Sequence, residues 1–270
     1  MAAFAAHFGY EFKAGMRSPS ALLMNYLFPL GVYAMMGLVM TRINPFFKET
    51  LVPSMIVFGA TGSALLGIPG PLVEAREAGV FRSFKINGVP AANIVSVPLL
   101  STTFHIMIVA ATIAVTGPLL FDAAPARSWP WLLAISIFTA LLCSALGVLI
   151  GVISPTSRAT VLLGQALFLP STLIGGIMIP YAALPESIQP IAGLLPSTHA
   201  MQAMEGLAYG RPTAIDPAVS LLAMITATAI AWALSIVLFN WDSRNQSRRG
   251  HPALGLLALA PFALAMLAGR

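Results

Sequence analysis

Residues Glu74 to Pro90, EAREAGVFRSFKINGVP, carry five charges, Glu74, Arg76, Glu77, Arg82 and Lys85, between two long apolar runs. Charged residues flanked on both sides by apolar stretches of spanning length belong at a membrane surface, so this segment divides the chain into membrane-crossing pieces. On a helix, Phe81, Phe84 and the aliphatic stem of Arg82 or Lys85 form a side distinct from Glu74, Arg76 and Glu77. The reading is a short amphipathic helix over 74–90, stopped by Asn87-Gly88 and Pro90; the alternative is an ordinary polar loop.

Composition fixes the class. Of 270 residues, 58% are hydrophobic and 9% charged, against roughly 25% charged in soluble domains. The chain therefore reads as an all-α integral membrane protein. A net charge of +5 is accordingly attributed to basic residues kept on the cytoplasmic side, and nucleic acid is not an expected partner. The single cysteine, Cys143, lies in an apolar run, which leaves no intramolecular disulfide and no cysteine cluster for a metal. The first residues lack the pattern of a cleaved leader and are read as retained.

Upstream of the opening stretch, Phe4, Phe8, Phe12 and Met16 recur every four residues, with His7, Tyr10, Lys13 and Arg17 largely opposite, predicting an interfacial helix over residues 1–20. Spans are expected at about Leu22–Met40 and Leu51–Val73, the second loosened by Pro69-Gly70-Pro71. Downstream, about Ala91–Phe121 is too long for one straight crossing. About Trp129–Ile153 begins at a tryptophan-marked interface, and about Ala159–Ile179 and Ala218–Asn240 complete six spans. The proline-rich segment 180–217 predicts short outer helices that dip into or lie on the membrane. These parts make a permease-like unit over 21–245. A basic tail and a last apolar run, Leu254–Leu267, follow within 246–270; that run reads as a seventh span or a surface helix. Gly147 and Gly151 form a GxxxG whose ordinary meaning is close helix packing.

Lys and Arg set the orientation. With the N-terminus inside, Lys13, Arg17, Arg76, Arg82, Lys85, Arg158, Arg244, Arg248 and Arg249 are cytoplasmic, against Arg42, Lys48, Arg127, Arg211 and, depending on the last run, Arg270. This places 74–90 in the cytoplasm.

The chemistry is sparse. No GxxxxGK[ST] loop is present, so nucleotide hydrolysis falls to a partner and the chain itself is not expected to be an enzyme. His105 is the one titratable group near mid-span; it could line a path, but a histidine packed between helices and bonded to a carbonyl or to Thr102 is the plainer reading. A secondary carrier or channel working without an ATPase is the alternative function, with His105 as its focus. His199 and Glu205 are six residues apart and have no accompanying nucleophile motif, which argues against a membrane-embedded enzyme.

The order of these parts resembles the membrane subunit of ABC-2-type transporters, over roughly residues 1–245. The resemblance rests on the E-x-E/R-x-G…P pattern at Glu74, Arg76, Glu77, Gly79, Arg82 and Pro90, and on the Leu-Pro pairs Leu184-Pro185 and Leu195-Pro196. FKINGVP departs from the Leu-rich run to Thr-Pro or Ser-Pro usual after the glycine. The resemblance implies a coupling helix at 74–90 seated in a cleft of a cytosolic ATPase. Glu74, Arg76, Glu77, Arg82 and Lys85 would contact it, Gly79 would belong to the motif, and Phe81 and Phe84 would fill the cleft. Lys13 and Arg17 would steady the ATPase. Two ATPases, carrying ATP and Mg, would drive a homo- or heterodimer of permease chains in a bacterial cytoplasmic membrane. The substrate path would run along spans one, two and five, with Phe28, Met35, Met55, Phe58, Phe168, Met178 and His105 as candidate lining. An apolar, methionine-rich wall without fixed charge suits a drug, lipid or glycolipid being exported.

Overall fold

The computed structural model describes residues 2–45, 47–242 and 250–268, with side chains from residue 8 to residue 267; the expected basic tail at 243–249 and the Phe4 and His7 side chains lie outside these. Among the described residues there is no strand. Helices are the solution because a backbone in hydrocarbon must satisfy its polar groups within its own segment.

Helix α1 is Ala2–Arg17. Ser18 caps the next helix through its hydroxyl, which accepts from the Ala21 amide. That helix, α2, is Pro19–Ile43 and includes two π-helical stretches, Leu23–Leu27 and Met36–Met40. The first π stretch ends two residues before Pro29, whose missing N–H removes a rung of the ladder. Helix α3 is Phe47–Glu77, with its break at Ile68, where Pro69 and Pro71 lack amide donors. Helix α5, Ala91–Phe121, is a single 31-residue helix, about 46 Å at 1.5 Å per residue, well beyond a hydrocarbon core of about 30 Å. Asp122, in the left-handed region at φ 55°, ends it and pairs with Lys48 at 2.9 Å. Helix α6, Trp129–Ile153, and helix α10, Pro217–Val237, follow expectation closely. Asp216 caps α10, accepting from the Ala218 and Val219 amides.

The fifth expected span is shorter than its hydropathy suggests. Helix α7 is Ser157–Ile174 and stops there, because Gly176 takes φ +87° and the chain then runs irregularly to Pro180. Among the described residues five helices, α2, α3, α5, α6 and α10, are long and apolar enough to cross a membrane. The protein is a multi-pass membrane protein.

Burial sorts these helices. In the most apolar window of α3 89% of residues are buried and in that of α6 72%, against 22% in α2 and 33% in α10. Thus α3 and α6 form the centre. Small residues decide this: a Cβ added at Gly151 would meet Leu72 at 3.0 Å and the Pro69 Cα at 3.2 Å, and one at Gly147 would collide with the Ala64 carbonyl. The GxxxG pair is therefore an internal packing face between α6 and α3. Gly164 makes the same kind of approach from α7, with the Leu65 carbonyl oxygen 2.6 Å from an added Cβ.

Within 180–217 the helices are short: α8 is Gln189–Ala192 and α9 is Pro196–Ala203, which continues as a π turn, Met204–Ala208. All eight residues of α9 are buried, against α3, α6, α7 and α10, so the segment dips into the bundle. His199 is held there. Its Nε2 lies 2.9 Å from the Gly193 carbonyl, its Nδ1 lies 3.2 Å from the Ser220 hydroxyl, and its ring stacks on Phe262. Burial pushes this imidazole down to about 4, so it is neutral at physiological pH. Its role here is packing, because both ring nitrogens are occupied by the Gly193 carbonyl and the Ser220 hydroxyl and the ring face by Phe262.

Phe262 belongs to α11, Ala260–Ala268, preceded by a 3-10 stretch, Pro252–Leu259. Gly255 packs near Ile153 at one end of α6, while Met266 packs on Gly193 and accepts from the Tyr181 hydroxyl at 3.8 Å near the opposite end of the bundle. A 3-10 helix rises about 2.0 Å per residue, so these residues reach about 28 Å with few positions. That is how a run too short for an α-helical span extends from one end of the bundle to the other.

Candidate functional site at the Gly79 end

The segment 74–90 is not one helix. Glu74, Arg76 and Glu77 lie on the last turn of α3. Gly79 then takes φ 76°, a left-handed conformation that costs glycine nothing, and a separate helix α4, Val80–Ile86, begins. The expected stop signals do operate. Asn87 Nδ2 donates to the Ser83 carbonyl at 2.8 Å, Gly88 has φ 72°, and the Val89 amide donates to the Phe84 carbonyl at 3.0 Å.

The break separates residues that the sequence had grouped. Arg76 is 6% exposed and turns into the protein. Its Nη1 donates to the Val152 carbonyl at 3.2 Å and its Nη2 donates to the Ser154 carbonyl. A guanidinium thus closes the C-terminal end of α6, where unpaired carbonyls and the negative end of the helix dipole attract a cation. Arg76 is not available as a partner contact. Phe81 is also turned inward at 5% exposure, its ring 5.3 Å from that of Phe239, which in turn stands edge-on to Trp241 at 5.2 Å. It cannot fill a partner's cleft from this position.

Arg82 Nε pairs with Asp242 Oδ2 at 3.2 Å, joining α4 to the segment that follows α10. The short helix is therefore braced on two sides, through the Gly79 turn to α3 and through Phe81 and Arg82 to the segment that follows α10. Glu74, Glu77, Ser83 and Lys85 remain exposed, and Phe84 is half-buried. With Phe81 facing in, a residue five positions on points about 140° away. That residue is Ile86, 86% exposed, and Val80 beside it is also exposed. Sequence reasoning passed over Ile86 because it weighted aromatic residues; the signal was the helical phase relative to Phe81.

Helix α1 lies against α5. Phe8 and Phe12 stack at 6.3 Å, and Phe12 lies flat on the His105 ring at 4.9 Å and edge-on to Phe104 at 5.4 Å. Met16 is exposed, as are Lys13 and Arg17. His105 bonds to neither a carbonyl nor Thr102: its Nδ1 meets the Tyr26 hydroxyl at 2.6 Å, tying α5 to α2.

The remaining path candidates divide. Phe28, Phe58 and Phe168 meet as an aromatic triad with ring separations of 5.5, 5.7 and 6.5 Å, joining α2, α3 and α7. Met55 is fully buried beneath them, Met178 is half-buried, and Met35 faces outward at 54% exposure. His105 sits elsewhere, under α1.

At the other end of the bundle, Arg211 stacks over Tyr209 with its guanidinium carbon 4.8 Å from the ring centre, donates to the Glu49 carbonyl at 2.8 Å, and lies 3.8 Å from Glu205. Burial raises the Glu205 carboxyl, with Arg211 opposing that shift. A raised value means that the folded state holds the proton more tightly. The associated stability is present below the ordinary value of 4.5 and is lost as pH rises through the raised one. Glu205→Gln is expected to equal the wild type in acid and to exceed it in thermal stability as pH rises through the raised carboxyl value. Melting curves of both proteins across that pH range check it, and a parallel pH dependence in the two would contradict it.

Two comparisons bear on what a braced surface helix on a membrane bundle serves. The chain is similar to the "Putative transport permease YvfS" of Bacillus subtilis (strain 168), 24% identical over 209 residues, covering 75% of this chain and 84% of that protein. No solved structure matches. The family model described as ABC-2 type transporter matches residues 2–209, from α1 through the π turn after α9. Since that match takes in the N-terminal helix, the broken α3–α4 segment and the dipping helices, the chain belongs to the ABC-2 type transporter family and is an ABC transporter permease.

Proposed function

We propose that this permease is the membrane half of an ATP-driven exporter, and that α4 is the helix through which a separate cytosolic ATPase drives it. The observation that carries the reading is the mounting of α4. It is joined to α3 through the Gly79 turn and to the segment directly after α10 by Phe81–Phe239 and Arg82–Asp242, yet it presents Val80, Lys85 and Ile86 outward. A short helix held on two spans transmits a push to both, whereas a free loop would absorb it. The contacts with the ATPase are assigned to Glu74, Glu77, Val80, Arg82, Lys85 and Ile86, with Ile86 as the apolar anchor. Lys13 and Arg17, exposed on α1, are assigned to steady the same ATPase.

Two such ATPases, binding ATP and Mg, would work with two permease chains. The N-terminus is assigned to the cytoplasm of a bacterial inner membrane, supported by the lysine and arginine count. The substrate is assigned as a hydrophobic or amphipathic molecule, a drug, lipid or glycolipid. Support comes from the Phe28–Phe58–Phe168 triad and from the lack of Asp, Glu, Lys or Arg at its level in α2, α3 and α7.

The test is co-purification of the tagged chain from its native membrane, with mass spectrometry of bound proteins and an ATPase assay. A nucleotide-binding subunit should accompany the wild type. Ile86→Asp should weaken its retention by about tenfold or more, the loss expected of a hot-spot side chain, while the melting temperature stays unchanged. Equal retention by Ile86→Asp would remove the anchor role, and a chain that carries no ATPase would remove the coupling reading altogether.

A further inference from the structure

Between α1, α2, the end of α3 and α5 lies a cavity of about 370 Å³, open to one side. Its walls include Met24, Leu66, Ile68, Leu72 and Ile94, and its polar lining includes two carboxylates, Glu11 and Glu74. Among the described residues no lysine or arginine lines it. Neither carboxylate has an ion pair among the described residues.

A second feature is independent of the carboxylates. Ser101 and His105 stand one turn apart on the same face of α5, and both line the cavity. They are 5% and 3% exposed, so what access they have is through the cavity. The Ser101 hydroxyl has no hydrogen-bond partner among the described residues, and the His105 bond to Tyr26 occupies only Nδ1, leaving Nε2 without one. These two polar atoms are open to the cavity rather than sealed away, so a ligand lying in it can take up the Ser101 hydroxyl and His105 Nε2. When the Tyr26 oxygen accepts from Nδ1–H, Nε2 offers a lone pair to an N–H donor.

We infer that this cavity binds an amphiphile with an ammonium head. Glu11 and Glu74 balance the positive charge, Ser101 and His105 Nε2 accept from its N–H groups, and the aliphatic walls hold the apolar part. An anionic head would meet two carboxylates and no cation, which decides against it. The same chemistry is offered by a lipid with a primary amine head and by a hydrophobic amine compound. The inference holds whether or not an ATPase docks on α4, because the cavity needs none to bind.

The test uses the full chain in a neutral maltoside detergent without nucleotide, with a fluorescent dodecylammonium probe and its neutral dodecanol counterpart bearing the same fluorophore. The ammonium probe should bind saturably and about tenfold or more tighter than the neutral one. Glu11→Gln combined with Glu74→Gln should remove that preference. Gly67 also lines the cavity, with Met24 and Asn25 3.8 Å from an added Cβ, so Gly67→Leu should obstruct it and weaken both probes. Displacement by phosphatidylethanolamine but not phosphatidylglycerol would identify a lipid head as the source; displacement only by hydrophobic amines would identify a soluble amphiphile. Equal affinity for the two probes, or an ammonium preference that survives the double glutamine change, would overturn the assignment. Co-purification of an ATPase would be unaffected by that failure, so the two readings fall separately.

Discussion

Arg76→Met should lower the stability of the folded chain by about 3 kcal/mol, the sum expected when two charge-assisted hydrogen bonds to buried carbonyls are lost. Methionine keeps much of the apolar length, so the loss isolates the guanidinium rather than the side-chain volume. The Val152 and Ser154 carbonyls at the end of α6 would be left without the donors that Arg76 supplies, and the dipole of a central helix would lose the cation at its negative end. Glu77→Gln, one residue away but exposed, should change stability by no more than about 0.5 kcal/mol. Thermal melts of both variants in detergent check the pair. Equal melting temperatures would mean that Arg76 faces outward, as the charge pattern alone implied, and would restore it as a partner contact.

The second large effect is expected at Gly147. Alanine is worth about 1 kcal/mol over glycine in a helix interior, so propensity alone favours Gly147→Ala. The added Cβ, however, meets the backbone carbonyl of Ala64, which cannot rotate away as a side chain could. Helices α3 and α6 would have to separate, and because they form the centre of the bundle the strain reaches every helix packed on them. A net loss of about 2 kcal/mol or more is expected, in the range of overpacked cores. Gly9→Ala is the control: nothing lies within 4 Å of its added Cβ, so propensity should prevail and stability should hold or rise slightly. If both alanine variants melt alike, the close approach of α6 to α3 is not what holds the centre together.

The resemblance stated from sequence and the family match rest on the same run of parts, and the helices behind it are legible for a simple physical reason. An apolar segment of spanning length has few alternatives to a helix, and α5, α6 and α10 keep close to the limits that hydropathy gave them. Stop signals were equally local: Asn87-Gly88 ends α4 because a left-handed residue and a side-chain cap act within one turn. The fifth span was misjudged by the same logic. Its apolar run continues to Ile179, but Gly176 ends the helix through a backbone conformation that hydropathy does not register.

What the amino-acid order determined by itself was the approximate place and length of most of the apolar helices, though not their number, the short helices within 180–217, and the place of the charged stretch between two long helices. These follow from hydrogen-bond satisfaction in hydrocarbon and from residue-level turn chemistry, both of which act along the chain. What only the tertiary structure decided was which side of each charged or aromatic residue is occupied. Arg76 and Glu77 are neighbours, yet one donates to the Val152 carbonyl, 76 residues downstream at the end of α6, while the other meets solvent. Phe81 packs on Phe239 and so turns Ile86 outward. Partners that distant in sequence leave no local periodicity to read, because the energy of burying a side chain depends on what a separate helix brings to it.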